Sequence, residues 1–167
     1  MIAQNIAFWI IALAMAGAAI GVVRSPNIVH AALYLVVVLA GAAAQYILLA
    51  AEFVAWVQVL IYIGAVVILF LFGIMLTRSP MQTETELDND QRWPALVVAV
   101  FLLGVLVVLL VDAFGDQTIA LNDELVATGR AANVGSSIFR QYVVAFEVVS
   151  MLLLAALVGA VAIARRD

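Results

Sequence analysis

Two carboxylates, an amide and a phenol stand inside stretches of this chain that are otherwise almost purely apolar. Glu147 lies a few residues into the run Val143 to Ala164, and Glu52 heads the run Phe53 to Leu76. Carboxylates held in hydrocarbon cost on the order of 2–3 kcal/mol or more unless paired or hydrated, and they mark proton or ion paths by default. Glu147 is a candidate for such a path, with a structural hydrogen bond as the plainer role. Glu52 sits close to the headgroups, where an interfacial carboxylate is the simpler reading. Gln58 and Tyr62 are four residues apart and share one face of an α-helix. Ile63-Gly64-Ala65 follows directly. Gly64 falls near the middle of its apolar run, where glycine weakens a helix. A mid-membrane glycine beside a tyrosine suits tight helix packing, or a bend through a π-bulge of the kind that gathers at functional sites. His30 and Tyr34 also share a face, with no second metal ligand in view.

The elements that must position these groups follow from composition. Hydrophobic residues make up 68% of the 167 residues and charged residues 11%, against about 45–50% and about 25% in soluble domains. Mean hydropathy is +1.23. Five runs are long enough to cross a bilayer, at about residues 2–23, 28–49, 53–76, 94–111 and 143–164. The expected fold is therefore all-α, a polytopic bundle of five transmembrane helices in one membrane domain covering residues 1–167. No basic residue precedes the first run, so it reads as a span rather than as a cleaved leader. There is no Cys and no Lys, and one His. Thiolate-ligated clusters, disulfides, Schiff-base chemistry and bis-histidine haem ligation are excluded.

The connectors are short or polar. Arg24-Ser25-Pro26-Asn27 turns the first span into the second, with Ser25 or Asn27 as cap, and Ala50-Ala51-Glu52 makes spans two and three antiparallel neighbours. Residues 77–93, with Pro80, Glu84, Glu86, Asp88 and Asp90, form an acidic solvated loop. In the long connector 115–141, Asn122-Asp123-Glu124 can start a short helix that ends at Gly129, and Ser136 or Ser137 is expected to cap the last span. Small residues recur at helical spacing, in Gly17-x-x-x-Gly21, in Ala40-Gly41-Ala42-Ala43-Ala44 and in Ala155-x-x-x-Gly159. They mark Gly17, Gly21 and Gly159 as packing positions. Trp9, Trp56 and Trp93 lie near span ends, as interfacial anchors do.

Three segments carry a family resemblance: NIVHAALYL (Asn27 to Leu35), AEFVAWVQVLIYIGAVVILFLFGIML (Ala51 to Leu76) and AFEVVSMLLLAALVGAVAIAR (Ala145 to Arg165). Together they resemble the chain J family of bacterial NADH-quinone oxidoreductase, respiratory complex I, whose mitochondrial member is subunit 6. The block VQVLIYIGAVVILFLF is the most specific part. The resemblance implies a non-catalytic membrane-arm subunit of a proton-translocating complex, with no catalytic, metal or cofactor site of its own. FMN, iron–sulfur clusters and quinone would be held by other subunits. The implied partners are the small K subunit, the quinone-site subunit, the antiporter-like subunits and the lipid bilayer, with no nucleic acid. The resemblance also implies a π-bulge over Tyr62, Ile63, Gly64, Ala65 and Val66, acting as a gate between two helix forms. Glu147 matches the family's acidic position in span five, and Glu52, Glu147 and Tyr62 become proton-path candidates. An equivalent subunit of a ferredoxin-, F420- or hydrogen-driven complex, a structural scaffold and an autonomous small transporter are the competing readings. The implied location is the bacterial inner (plasma) membrane.

Arg24, Arg78, Arg92, Arg165 and Arg166 fall on one side of a five-span topology, and Arg130 and Arg140 on the other. The positive-inside rule then puts the C-terminus in the cytoplasm and the N-terminus outside. Because the sequence contains no native Cys, Asp167→Cys offers a clean test. A membrane-impermeant maleimide should modify it only after the membrane is opened, and labelling in intact cells would reverse the orientation.

Overall fold

The structure is a computed structural model that describes residues 2–77, 91–115 and 122–165. These are helical throughout their regular parts, with no strand among the described residues. In chain order the helices are α1 (Ile2–Arg24), α2 (Ile28–Leu48), α3 (Glu52–Leu76), α4 (Arg92–Phe114), α5 (Asp123–Thr128), α6 (Ala131–Arg140) and α7 (Val143–Ala164). Five of them, α1 to α4 and α7, are long and apolar enough to cross a membrane. The physical reason is that in hydrocarbon every backbone N–H and C=O must be satisfied within the protein, and a helix does this locally. The acidic loop, with Glu84, Glu86, Asp88 and Asp90, lies outside the described residues, as do Arg78, Arg166 and Asp167.

The described residues divide into two units, one holding α1–α3 and α5–α7, the other α4. In the first unit, α1 and α2 form the closest pair, and α3 packs along α2. The turn between α1 and α2 works as a stop and a start. The Ser25 N–H donates to the Gly21 carbonyl at 3.0 Å. Asn27 caps α2 by accepting the Val29 N–H at 2.9 Å, and the Ser25 hydroxyl donates to the Asn27 carbonyl at 3.0 Å.

The buried residues are mostly the smallest ones: Ala18, Ala32, Ala43 and Ala55, with Val67 and Gln58. Helices in lipid meet by close backbone approach, so alanine at the seam is what association requires. Gly21 lies under the Tyr34 ring, where an added Cβ would come within 2.9 Å of ring carbons, and Gly41 makes room for the Met15 side chain. One polar bridge joins the pair, from the Gln45 amide nitrogen to the Phe8 carbonyl at 3.3 Å.

α2 ends in a Schellman turn. The Ala50 N–H donates to Ile47 O at 3.0 Å and the Ala51 N–H to Tyr46 O at 2.9 Å, while Ala50 takes the left-handed conformation with φ 58°. The Ala50 carbonyl lies directly against Gly129, so close that no Cβ fits there. Beside it, the Phe53 N–H donates to the Gly129 carbonyl at 3.1 Å. The head of α3 and the connector before α7 are therefore joined, and both lie at the same side of the membrane.

Two expectations need correction. Ser136 and Ser137 do not cap the last span. They lie inside α6, an additional helix, and α7 starts after Tyr142 with no side-chain cap. The helix continues through the serines because Ser137 bonds back to the Asn133 carbonyl at 3.1 Å, and the Ser137 carbonyl takes the N–H of both Gln141 and Tyr142. The fourth helix, expected at about 94–111, covers Arg92–Phe114, since helical bonding continues past the apolar run through Asp112, Ala113 and Phe114.

Gly129→Ala should destabilise the protein, because neither backbone can move without breaking the Phe53 bond. We expect a loss of roughly 1–3 kcal/mol. It should be read as a lower thermal midpoint of the detergent-solubilised assembly, with Gly17→Ala unchanged because a Cβ there meets nothing within 4 Å.

Candidate functional site in the third helix

α3 is not one regular helix. Glu52–Val57 and Ile68–Leu76 are α-helical, and the ten residues Gln58–Val67 between them are π-helical. Most π segments are single-turn bulges, because i→i+5 bonding leaves poorer packing along the axis. Here the segment is longer and contains all of Tyr62, Ile63, Gly64, Ala65 and Val66. The flanking residues Phe53–Val57 and Ile68–Phe72 are all apolar. The π segment ends in a tight turn in which the Ile68 N–H donates to the Ala65 carbonyl, α geometry resumes over Ile68–Leu76, and α3 closes where the Thr77 hydroxyl donates to Gly73 O at 2.6 Å.

Ala55, Gln58 (8% exposed) and Val67 (3%) are buried on the side that packs along α2. Tyr62 is 49% exposed, so within this unit the covered side of the helix holds Gln58 and not Tyr62. In an α-helix of 3.6 residues per turn, the residue four on passes just beyond the first. A π turn carries it to the other side of the first by a similar angle, so the two remain neighbours on the helix, and it is the position of α2 that covers Gln58 and leaves Tyr62 outside.

Gly64 is exposed too. An added Cβ would meet only its own helix, at the Val59 carbonyl 3.4 Å away. Of the two roles open to Gly64, tight packing against another helix is therefore absent in the described unit, and the backbone role remains. Ala65 and Val66 are exposed as well, and Ile63 is half-buried.

The remaining candidates lie apart from this segment. Glu52 occupies the first turn of α3 and is exposed. Its carboxylate stands at the positive end of the helix, beside the connector that reaches α7. Glu147 is exposed on α7, about 6 Å deeper than the helix start at 1.5 Å per residue. In its unit α7 packs only on α6, through the Phe139 and Phe146 rings at 5.0 Å. The chain alone thus brings Glu52 and Glu147 to the same side but does not join either to Tyr62. Gly21 packs against Tyr34, whereas Gly17 and Gly159 meet no neighbour within 4 Å. His30 and Tyr34 are both exposed at the start of α2, and no group of three metal-ligating side chains exists among the described residues.

Sequence reasoning missed Gln45, and it read Gly129 only as a helix end, without its seat against Ala50 and its bond to Phe53. A lone amide in an alanine-rich run and a glycine just past a short helix were the available signals.

Comparison with known proteins now decides the family. The profile described as NADH-ubiquinone/plastoquinone oxidoreductase chain 6 matches residues 18–163. The chain is similar to NAD(P)H-quinone oxidoreductase chain 6 of Synechocystis sp., 39% identical over 98% of this chain and 82% of that one. It is also similar to the chloroplast subunit 6 of Cryptomeria japonica, 35% identical over 89% of this chain and 86% of that one. The chain belongs to the chain 6 family of NAD(P)H-quinone oxidoreductase. Members of that family are subunits of complex I, and the π-helical third span is an observed feature of this one.

In this chain 6 protein Gly64→Ala should fold and assemble normally, since its Cβ has room. It should also favour regular α-helix by about 1 kcal/mol. Gly21→Leu should instead cost about 1–3 kcal/mol through overpacking against Tyr34. The amount of assembled complex in membranes measures both.

Proposed function

We propose that this chain is a non-catalytic membrane-arm subunit of a proton-translocating NADH:quinone oxidoreductase, and that its third helix is a gate between quinone chemistry and proton movement. The observation that carries the proposal is the π-helical stretch Gln58–Val67, in which Tyr62, Gly64, Ala65 and Val66 are exposed within their unit. A helix that can hold either i→i+5 or i→i+4 bonds is a two-state element without any net loss of backbone bonds. Conversion rotates Tyr62 past Gln58 and changes which side chains line the adjoining space. A neighbouring subunit biases this equilibrium only by binding the two forms differently. Moving it from 1:99 to 99:1 takes about 5.5 kcal/mol of differential interaction. Glycine at position 64 lowers the α form's advantage, which keeps the gap within that range.

In this mechanism Tyr62 and Gly64 switch, and Glu147 and Glu52 are the carboxylates through which protons approach or leave. The partners we assign are the complex's small K subunit, its quinone-site subunit and its antiporter-like subunits, in a bacterial inner membrane. FMN, iron–sulfur clusters and quinone belong to other subunits. Two observations favour an assembly component over an autonomous transporter: α7 packs on nothing in its unit beyond α6, and Glu147 is left exposed in an apolar helix.

Gly64→Val is the test. A β-branched residue in the segment should raise the barrier between the two forms, so proton-to-electron stoichiometry should fall several-fold while assembly and artificial-acceptor oxidation persist. Glu147→Gln should lower pumping in the same way. Unchanged stoichiometry in Gly64→Val, Tyr62→Phe and Glu147→Gln alike would leave only a scaffold.

A further inference from the structure

The connector between α4 and α7 contains a helix, α6, with a construction of its own. Asn133, Ser136, Ser137 and Arg140 fall at helical spacing on one face, while Ala131, Val134, Gly135 and Ile138 fall on the other. Val134, Gly135 and Ile138 are half-buried, and the polar face is exposed. Arg130 and Arg140, the connector's two arginines, bracket the helix at its two ends, about 15 Å apart at 1.5 Å per residue. Both are exposed.

Both ends of α6 are also held at the membrane boundary. On one side the Gly129 carbonyl takes the Phe53 N–H at the head of α3. On the other, Tyr142 leads directly into α7, and the exposed Phe139 ring rests edge-on against Phe146 in the first turn of that span. A ten-residue helix tied at both ends to span heads cannot stand away from the bilayer. It runs along the surface, where an apolar side, a hydroxyl- and amide-bearing side and flanking cations match the layering of acyl chain and phosphate. A guanidinium fits a phosphate through paired N–H donors.

We propose that α6 is an interfacial helix whose Arg130 and Arg140 bind the phosphate groups of anionic phospholipids, fixing the heads of α3 and α7 at the headgroup layer. The occupant of this face is the bilayer that the protein already crosses.

The test uses the intact complex in native membranes, with the photo-reactive amino acid p-benzoylphenylalanine replacing Phe139 and, separately, Ser136. Illumination followed by mass spectrometry of the chain should show phospholipid adducts from position 139, the share of anionic lipid among them exceeding that of the bulk membrane. With Arg130→Gln or Arg140→Gln added, the anionic enrichment should fall by about fivefold for each arginine, and Arg→Lys at both positions should retain most of it. Adducts to another polypeptide from both positions would overturn the proposal by placing a protein partner on α6. Equal anionic enrichment in the Gln and Lys variants would overturn it as well. Should a Gln variant fail to assemble, the adducts of the unsubstituted arginine protein and of the Lys variant still decide between lipid and protein.

Discussion

Backbone hydrogen bonding without water is the constraint on which the rest of this structure depends. In hydrocarbon an N–H or C=O has no solvent to fall back on, so each of the five long apolar runs must close its bonds within itself. That demand makes the helices, and it also limits how a helix can be made irregular. The ten residues Gln58–Val67 depart from α geometry without leaving the hydrogen-bonded state, because i→i+5 bonds replace i→i+4 bonds. Such a segment differs from its α form mainly in rotation and packing.

Packing around this segment is thin because of the residue types that make it. The buried seam of α1, α2 and α3 consists mostly of alanines, which bring backbones close but contribute little side-chain interlock. Glycine at 21 and 41 admits the larger Tyr34 and Met15 from the facing helix, giving α1 and α2 a fixed register. α3 has no comparable device. Gln58 and Val67 fasten the two ends of its π segment to the α2 side, while Tyr62, Gly64, Ala65 and Val66 between them remain uncovered. A segment held at its ends and free along its middle is mechanically suited to rotate there. It is also left needing neighbours that this protein does not itself supply.

The connector reaching back to α3 gives these features a common frame. The bond between Phe53 and Gly129 and the close seating of Gly129 on Ala50 join the head of α3 to α6, and through it to α7. Glu52 and Glu147 thereby share one side of the membrane at different depths. Ala50 accepts a left-handed backbone conformation at the same point, which costs about 1–2 kcal/mol for a residue with a Cβ. The Schellman bonds and the Gly129 contact offset it.

The five long apolar helices were readable from residue order, because hydrophobic run length decides whether a segment can cross a bilayer, whereas α6 was not. So were the Asn27 cap, from a side-chain oxygen placed two residues before an N–H it can reach, and the short helix ending at Gly129. From the residues themselves the π geometry was one of two roles for Gly64, since a glycine in an apolar helix serves tight packing equally well, and the family resemblance pointed to the bulge. The structure shows the π helix over Gln58–Val67, twice the length of the implied bulge. Residue spacing placed Gln58 and Tyr62 together, and the chain by itself covers only Gln58. Ser136 and Ser137 misled because a hydroxyl that can cap a helix can equally bond back inside one. Local pattern specifies what a segment is able to do, whereas competition among neighbouring backbones decides which of its options is used.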